Sequence, residues 1–313
     1  MNILNYPFNQ QLSRYRALSL YLALIFILLS LFALFSYGLN LGLDFTGGYL
    51  TEFSTQSSIN QQVMEKMLTA YLPGEFKVSS GQSGTFWSVQ QADNNMNLNG
   101  TLWLTAFAEQ SGLIITPQDA LFIGSQVGEE LVNQRGLALL TSIIVILLYL
   151  SFRFEWRLAA GAVLALAHDV IITLGVFSLM QIEVDLTIVA ALLTVVGYSL
   201  NDTIVVFDRI RENFRKMRKG EAPEVLNSSI TQTLSRTLIT SGTTLFVVIA
   251  LFVQGGAMIH GFATALLLGI TVGTYSSIYV ASALAMKLGI TREHLMPPQV
   301  EKEGEEFDEM PYA

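Results

Sequence analysis

Apolar residues run along this chain in unbroken blocks, not in the periodic stripes that mark amphipathic elements of a soluble fold. Six blocks approach the ~20 residues that a helix needs to cross a hydrocarbon core of about 30 Å. They are Ala17–Tyr37, Gly136–Phe152, Leu158–Met180, Leu186–Phe207, Leu234–Val253 and Gly261–Met286. The first follows Arg14 and Arg16 as a signal peptide would, but it runs past 18 apolar residues and meets no small-residue cleavage site, so an uncleaved span is expected.

Residues 38–135 are polar enough to fold outside the membrane and numerous enough for one small core. Alternation over Tyr49–Phe53 predicts a strand; Val63, Met67 and Leu68 predict a helix within Ser58–Leu72, stopped at Pro73-Gly74. Further strands are expected at Phe76–Ser79, Phe86–Gln90 and Leu113–Ile115. A second, short helix carries Leu102, Trp103, Ala106 and Phe107 after an Asn-rich turn at Asn94–Gly100. The order is β-α-β-β-α-β, a ferredoxin-like split motif. The expected fold class is therefore an α-helical polytopic membrane protein with six transmembrane helices and one small α+β domain between helices 1 and 2. Residues 1–16 and 287–313 flank this body, and Glu301–Glu309, with six acids against one Lys, reads as a solvated, disordered tail.

Basic residues near membrane ends stay cytoplasmic. Six spans put both termini on one side, and fourteen of the seventeen Lys and Arg fall there; only Lys66, Lys77 and Arg135, in the long outer segment, do not. Both termini are expected inside, with residues 38–135 on the periplasmic face.

Composition narrows the chemistry. The chain is 51% hydrophobic and 13% charged, with mean hydropathy +0.48, so it is built for lipid. It has no Cys, which excludes disulfides, thiolate metal sites and thiol catalysis. A net charge of −8 without a basic patch excludes a nucleic-acid partner. No GxxxxGK[ST] string occurs, Gly38, Gly42, Gly47 and Gly48 spell no phosphate loop, and no nucleophile elbow is visible. His168, His260 and His294 are too scattered for a zinc site. No cofactor, metal or catalytic residue is expected.

An ionisable side chain at mid-membrane costs at least about 2.5–3.5 kcal/mol, so each one needs a reason. Asp202 lies in the fourth span, roughly six residues, or about 9 Å of helix rise, before a basic cytoplasmic cluster. Arg236 opens the fifth span at a similar depth, where the two can meet if their helices are neighbours. Such a pair could relay a proton, because withdrawing the guanidinium would make the carboxylate take one. It could equally be a static ion pair, or Asp202 could cap a tilted span. His168 and Asp169 sit near the middle of the third span; being consecutive they are expected on different helical faces, one of them facing the bundle. They are a second proton site or simply a buried hydrogen-bonded pair. Small residues at Gly197, Ser199, Ser241, Gly242, Gly269 and Gly273 read as helix-packing positions.

Specific strings go further. LGLDFTGG at Leu41–Gly48, FIGSQVGEEL at Phe122–Leu131, GYSLNDTIVVFDRIREN at Gly197–Asn213 and RTLITSGTTL from Arg236 resemble the SecF family of the bacterial SecD–SecF protein-export complex, in layout as well as in letters. A SecD chain shares the DFTGG motif, but its outer region is far longer than the ~98 residues available here. The resemblance implies half of a pseudo-symmetric transporter of the resistance–nodulation–division type in the bacterial inner membrane. Its implied partners are a SecD-like subunit, a SecY-type channel and unfolded preproteins. The proton-motive force would drive movements of the outer domains that help pull preproteins out of the channel, with no nucleotide hydrolysed. The family's membrane carboxylate and arginine map onto Asp202 and Arg236. Asp169 and His168 rank behind them on the same path, and Asp44, Gly47 and Gly48 belong to the motif at the exit of helix 1, Asp44 as an anchor for that turn. The chain departs from the family pattern over Gln82–Gly100, which is unusually polar. Two other functions fit the residues: a proton-coupled exporter of small molecules or lipids from the same superfamily, or a structural subunit without proton coupling.

Overall fold

In a computed structural model that describes residues 8–72, 76–81, 84–91, 102–123, 125–217, 221–291 and 293, every apolar block lies inside a helix longer than itself. These are α1 (Phe8–Tyr37), α5 (Ser125–Arg153), α6 (Trp156–Met180), α7 (Leu186–Lys216), α8 (Ala222–Gln254) and α9 (Gly256–Tyr275); the last continues through a π-helical turn (Ser276–Val280) into α10 (Ala281–Lys287). Six stretches of these helices are long and apolar enough to cross a membrane. An apolar block marks only the part of a helix that lipid or core must cover, and backbone hydrogen bonding carries it onward. Beyond Phe207, α7 continues on i,i+3 and i,i+4 pairs, Arg209–Glu212 at 2.6 Å and Lys216–Glu212 at 2.5 Å. Helix α8 starts twelve residues before the expected Leu234, with a proline in its first turn.

Between α1 and α5 lie α2 (Leu43–Thr46), β1 (Gly48–Thr55), α3 (Gln61–Thr69), β2 (Phe76–Ser80), β3 (Phe86–Gln91), α4 (Leu102–Ser111) and β4 (Ile115–Ile123). The sheet is antiparallel throughout in the order β2-β3-β1-β4, the split arrangement expected from the sequence. Phe53, Trp87 and Val89 on one sheet face meet Met64 and Leu68 of α3 and Leu104 and Phe107 of α4. The Trp87 indole is fully buried and donates to Thr55 Oγ1 at 3.1 Å. The fourth strand corrects the expectation: it covers Ile115–Ile123, not Leu113–Ile115. Its side chains are largely exposed and its register slips opposite Glu52/Phe53, beside Pro117, so no alternating pattern announces it; backbone pairing with β1 holds it. Helix α2 was not expected at all. The Pro73-Gly74 stop, the Asn94–Gly100 turn and the acidic tail lie outside the described residues.

In the membrane part α6 is central, packed by α1, α7, α9 and α10. Glycines permit the closest approaches. A Cβ on Gly175 of α6 would lie 2.3 Å from Ser30 Cβ of α1, and one on Gly269 of α9 would lie 2.3 Å from Val195 Cγ2 of α7. Gly197 and Gly242, expected at such contacts, have nothing within 4 Å of a built Cβ, so they mark no helix crossing in this chain.

Gly269→Ala is expected to lower the thermal midpoint by an amount equivalent to about 1–3 kcal/mol, and adding Val195→Ala should recover part of it; unfolding of the detergent-solubilised variants measures both. In the outer domain Glu52 faces Asp119 directly across β1 and β4. Burial, with Asp119 adding to it, pushes the Glu52 carboxyl above the usual carboxylate range. An acid raised in the folded state favours folding at low pH and loses that contribution as pH rises through its folded pKa. Glu52→Gln should therefore raise the unfolding midpoint at neutral pH and leave it unchanged in acid.

Candidate functional site

The carboxyl groups of Asp169 and Asp202 lie where α6, α7, α8 and the end of α9 meet, and hydroxyls surround both. Asp169 is wholly buried. Its Oδ2 accepts from Ser199 Oγ of α7 at 2.6 Å and from Ser276 Oγ of the π turn at 2.7 Å, while Oδ1 lies 2.9 Å from His168 Nδ1. Asp202, 3% exposed, has far less: Ser241 Oγ of α8 donates to its Oδ2 at 3.4 Å. Ser241 in turn accepts from Thr274 Oγ1 at 2.8 Å and from Tyr198 OH at 3.4 Å. Thr274 and Ser276, two residues apart where α9 passes into the π turn, thus serve different acids, Ser276 directly and Thr274 only through Ser241. Positions that far apart point to roughly opposite sides of a helix, and π turns gather at such functional junctions. The two carboxyls are thereby joined through one short stretch of backbone.

The expectation for His168 and Asp169 needs correcting. They do not divide between bundle and lipid: His168 is 2% exposed, Asp169 is fully buried, and they touch each other. Consecutive positions are about 100° apart, so both fit within the half of α6 that its neighbours cover, while Leu164 and Ala167 carry the exposed side. The expected meeting of Asp202 with Arg236 is also only partly realised. Arg236 is near enough to act on the Asp202 carboxyl electrostatically, yet among the described residues the two form no ion pair within 4 Å, and the guanidinium is exposed on α8. Ser235, Thr240 and Thr243 are exposed beside it, a polar stripe on an apolar helix.

Ser199, Ser241, Thr274 and Ser276 are the residues that sequence reasoning missed as hydrogen-bonding groups, two of them having been taken only as packing positions. A signal existed on α8, where Ser229, Thr233, Thr237 and Ser241 recur every four residues and are all buried. His168 Nε2, Thr203 Oγ1 and Thr237 Oγ1 are buried with no hydrogen-bond partner, so polar capacity next to the site is left unused.

The motif after α1 works at the other end of α7. Asp44 Oδ2 accepts from Leu186 N at 3.0 Å, and Asp185 Oδ1 accepts from Ile188 N at 2.8 Å, so two carboxylates cap one helix N-terminus. Gly47 has φ 70° and Gly48 φ 139°, and a Cβ on Gly48 would lie 2.3 Å from the Gln91 carbonyl oxygen. Only glycine lets the chain leave α2 and enter β1 against β3 in this way.

Six apolar helices, four of which meet at a buried, hydroxyl-lined pair of carboxyls, with a split α+β domain between the first two, define a polytopic membrane protein built to hold ionisable groups inside lipid. The family profile described as "Protein export membrane protein SecD/SecF, C-terminal" matches residues 106–291, and that described as "SecD/SecF GG Motif" matches residues 32–59. The chain is 62% identical over 301 residues to the protein translocase subunit SecF of Vibrio alginolyticus, covering 95% of this chain and 96% of that one. It is 48% identical to the SecF of Escherichia coli O157:H7 over 271 residues, covering 85% and 84%. The crystal structure of SecDF, a translocon-associated membrane protein from Thermus thermophilus, superposes with a TM-score of 0.79 at 36% identity; it takes in 92% of this chain, which spans 39% of that longer one. The chain belongs to the SecF family of protein-translocase subunits, membrane components of the Sec protein-export machinery.

Asp169→Ala should leave Ser199, Ser276 and His168 facing an empty site and cost about 2–4 kcal/mol, whereas Asp169→Asn, which keeps one acceptor oxygen, should cost less. Thermal unfolding of the two variants side by side measures the difference.

Proposed function

We propose that this chain uses the proton-motive force to assist late translocation and release of preproteins from a SecY-type channel, as the partner of a SecD-like subunit in the bacterial inner membrane, with both termini cytoplasmic. The observation that carries this reading is the contrast between the two buried acids. Among the described residues Asp169 has two hydroxyl donors on one oxygen and the His168 ring against the other, whereas Asp202 has one long hydrogen bond and the exposed Arg236 guanidinium acting on it from a distance. A buried carboxyl that is poorly satisfied as an anion gains most from taking a proton. Asp202 is thus the group that exchanges protons, and Arg236 is its counter-ion. Asp169 and His168 form a second station on the same path, coupled to Asp202 through the placement of the π turn, since Ser276 bonds Asp169 and Thr274 bonds the Ser241 that serves Asp202.

The chemistry then follows from charge. Ionised Asp202 attracts the Arg236 guanidinium toward the bundle; neutral Asp202 releases it toward the exposed face of α8. One elementary charge crossing the membrane field yields about 2.3 kcal/mol per 100 mV, enough to bias two helix packings against each other. Helix α7 carries the change outward: Asp202 stands about 24 Å along it from Leu186, whose amide Asp44 caps at the root of the outer domain. The polar stripe of Ser235, Arg236, Thr240 and Thr243 supports a second membrane subunit, because a guanidinium facing lipid is costly and a partner helix would cover it. The solved SecDF chain, longer than this one, supports a SecD-like identity for that partner.

Asp202→Asn should reduce proton-dependent preprotein export in membrane vesicles to the level of vesicles without the chain, while the variant still accumulates and copurifies with its partner normally. Undiminished export by a normally assembled variant would leave a structural role and remove the coupling.

A further inference from the structure

The turn between α6 and α7 is stitched to two other parts of the chain at the outer membrane surface. Val184 N donates to Asn40 O at 2.7 Å, Gly42 N donates to Val184 O at 2.9 Å, and Asn40 Nδ2 donates to Gln181 O at 2.9 Å. The outer domain joins through two side chains: Lys77 of β2 donates to Asn40 Oδ1, and Gln90 of β3 hydrogen-bonds the Glu183 carboxyl. Glu183 is the centre of this knot. Gly42 packs so closely on it that a Cβ there would lie 2.8 Å from Glu183 Oε1.

The charges around Glu183 do not balance. Among the described residues Lys77 of β2 is the one cation acting on it, while Asp44 of α2 and Asp185 of the turn are both anions; Gln90 of β3 is neutral. Asp44 and Asp185 are committed to capping α7 and are held there by backbone amides. When Glu183 is ionised, the knot therefore encloses three carboxylates and one ammonium, and Glu183 is the member without a backbone amide of its own.

We propose that the α6–α7 turn is a proton-sensitive clasp, which holds the outer domain against the membrane bundle while Glu183 is neutral and loosens when Glu183 ionises. Burial, with Asp185 and Asp44 adding to it and Gln90 and Lys77 opposing, raises the Glu183 carboxyl above the usual carboxylate range. Released into water, the same group returns to the ordinary range, so the clasped state binds the proton more tightly and falling pH favours clasping. The acidic side of an energised membrane is the outer one in the proposed orientation, so the clasp would close where protons are supplied. Its existence does not depend on Asp202: it needs only Glu183, Lys77, Gln90 and the Asn40–Asp44 segment. Glu183 is a positioning residue here, acting through the placement of the outer domain.

The chain has no cysteine, so two introduced ones report distance without background. Spin labels at Ser79→Cys on β2 and Met180→Cys at the end of α6, in the full chain in lipid nanodiscs, would be followed by dipolar electron resonance between about pH 5 and about pH 8. The expected result is a single short distance in acid and a second, longer population that grows at least about twofold as pH rises. Glu183→Gln should keep the short distance throughout, and Lys77→Gln should enlarge the long population at the alkaline end, where the ionised Glu183 has lost its cation. The pattern should persist unchanged in Asp202→Asn. A distribution independent of pH in the parent chain, a Glu183→Gln variant that is open at every pH, or a transition abolished by Asp202→Asn would each overturn the proposal, the last by assigning the switch to the membrane site.

Discussion

A carboxyl group cannot rest inside an apolar helix bundle unless something hydrogen-bonds it, and in this chain that constraint organises the membrane half. The donors are the hydroxyls of Ser199, Ser241 and Ser276, with Thr274 behind Ser241, and they are small enough for α7, α8 and α9 to close around the acids. Two requirements are met by the same residues. Gly273 shows the tightness of the fit: a Cβ there would lie 3.0 Å from Ser199 Cβ and 3.5 Å from Asp169 Oδ2. A larger residue at that point would push away the helix that supplies the donor.

Unequal satisfaction of the two acids gives the arrangement its direction. Asp169, fixed by α7 on one side and the π turn on the other, ties the centre of α6 to both neighbours and resists movement. Among the described residues Asp202 is tied only through Ser241, a hydroxyl already shared with Thr274 and Tyr198. One acid is a rivet and the other a hinge pin with play in it. A bundle with two equally saturated acids would be stiff, and one with neither saturated would pay a desolvation cost that packing could not offset.

How much of this the sequence carried depended on whether a feature repeats along the chain. Apolar length showed each span, and alternation or helical spacing showed β1, α3, β2 and β3, because those patterns arise from one buried face. Strand β4 left no such trace, since its side chains are exposed and its reason for being a strand is the amide row of β1. Asp202 and Asp169 stood out because charge in an apolar run is rare, and the resemblance selected Asp202 by a separate route. The hydroxyls around them stayed hidden: Ser and Thr are common in membrane helices, and a hydrogen bond between Ser276 and Asp169 spans 107 residues. Likewise no pattern along one helix says how wide the covered side of α6 is, which is why His168 and Asp169 were expected to part and instead lie together in the core.

The end of α7 shows why the GG motif and the membrane acids belong to one machine. A helix of 31 residues transmits an axial shift with little loss, because its backbone hydrogen bonds run in parallel along its whole length. Its inner part holds Asp202 and its outer end is capped from outside by Asp44, a residue in the segment that becomes β1. Moving α7 along its axis must therefore either break the Asp44 cap or drag the root of the outer sheet with it. Gly47 and Gly48 stand immediately after that cap, and Gly48 approaches the Gln91 carbonyl so closely that, while the clasp is closed, a shift passes directly to β1 and β3. Rigidity at this joint while the clasp is closed and looseness at Asp202 are complementary: play at the end where we propose that protons exchange is useful only if the far end passes the shift on.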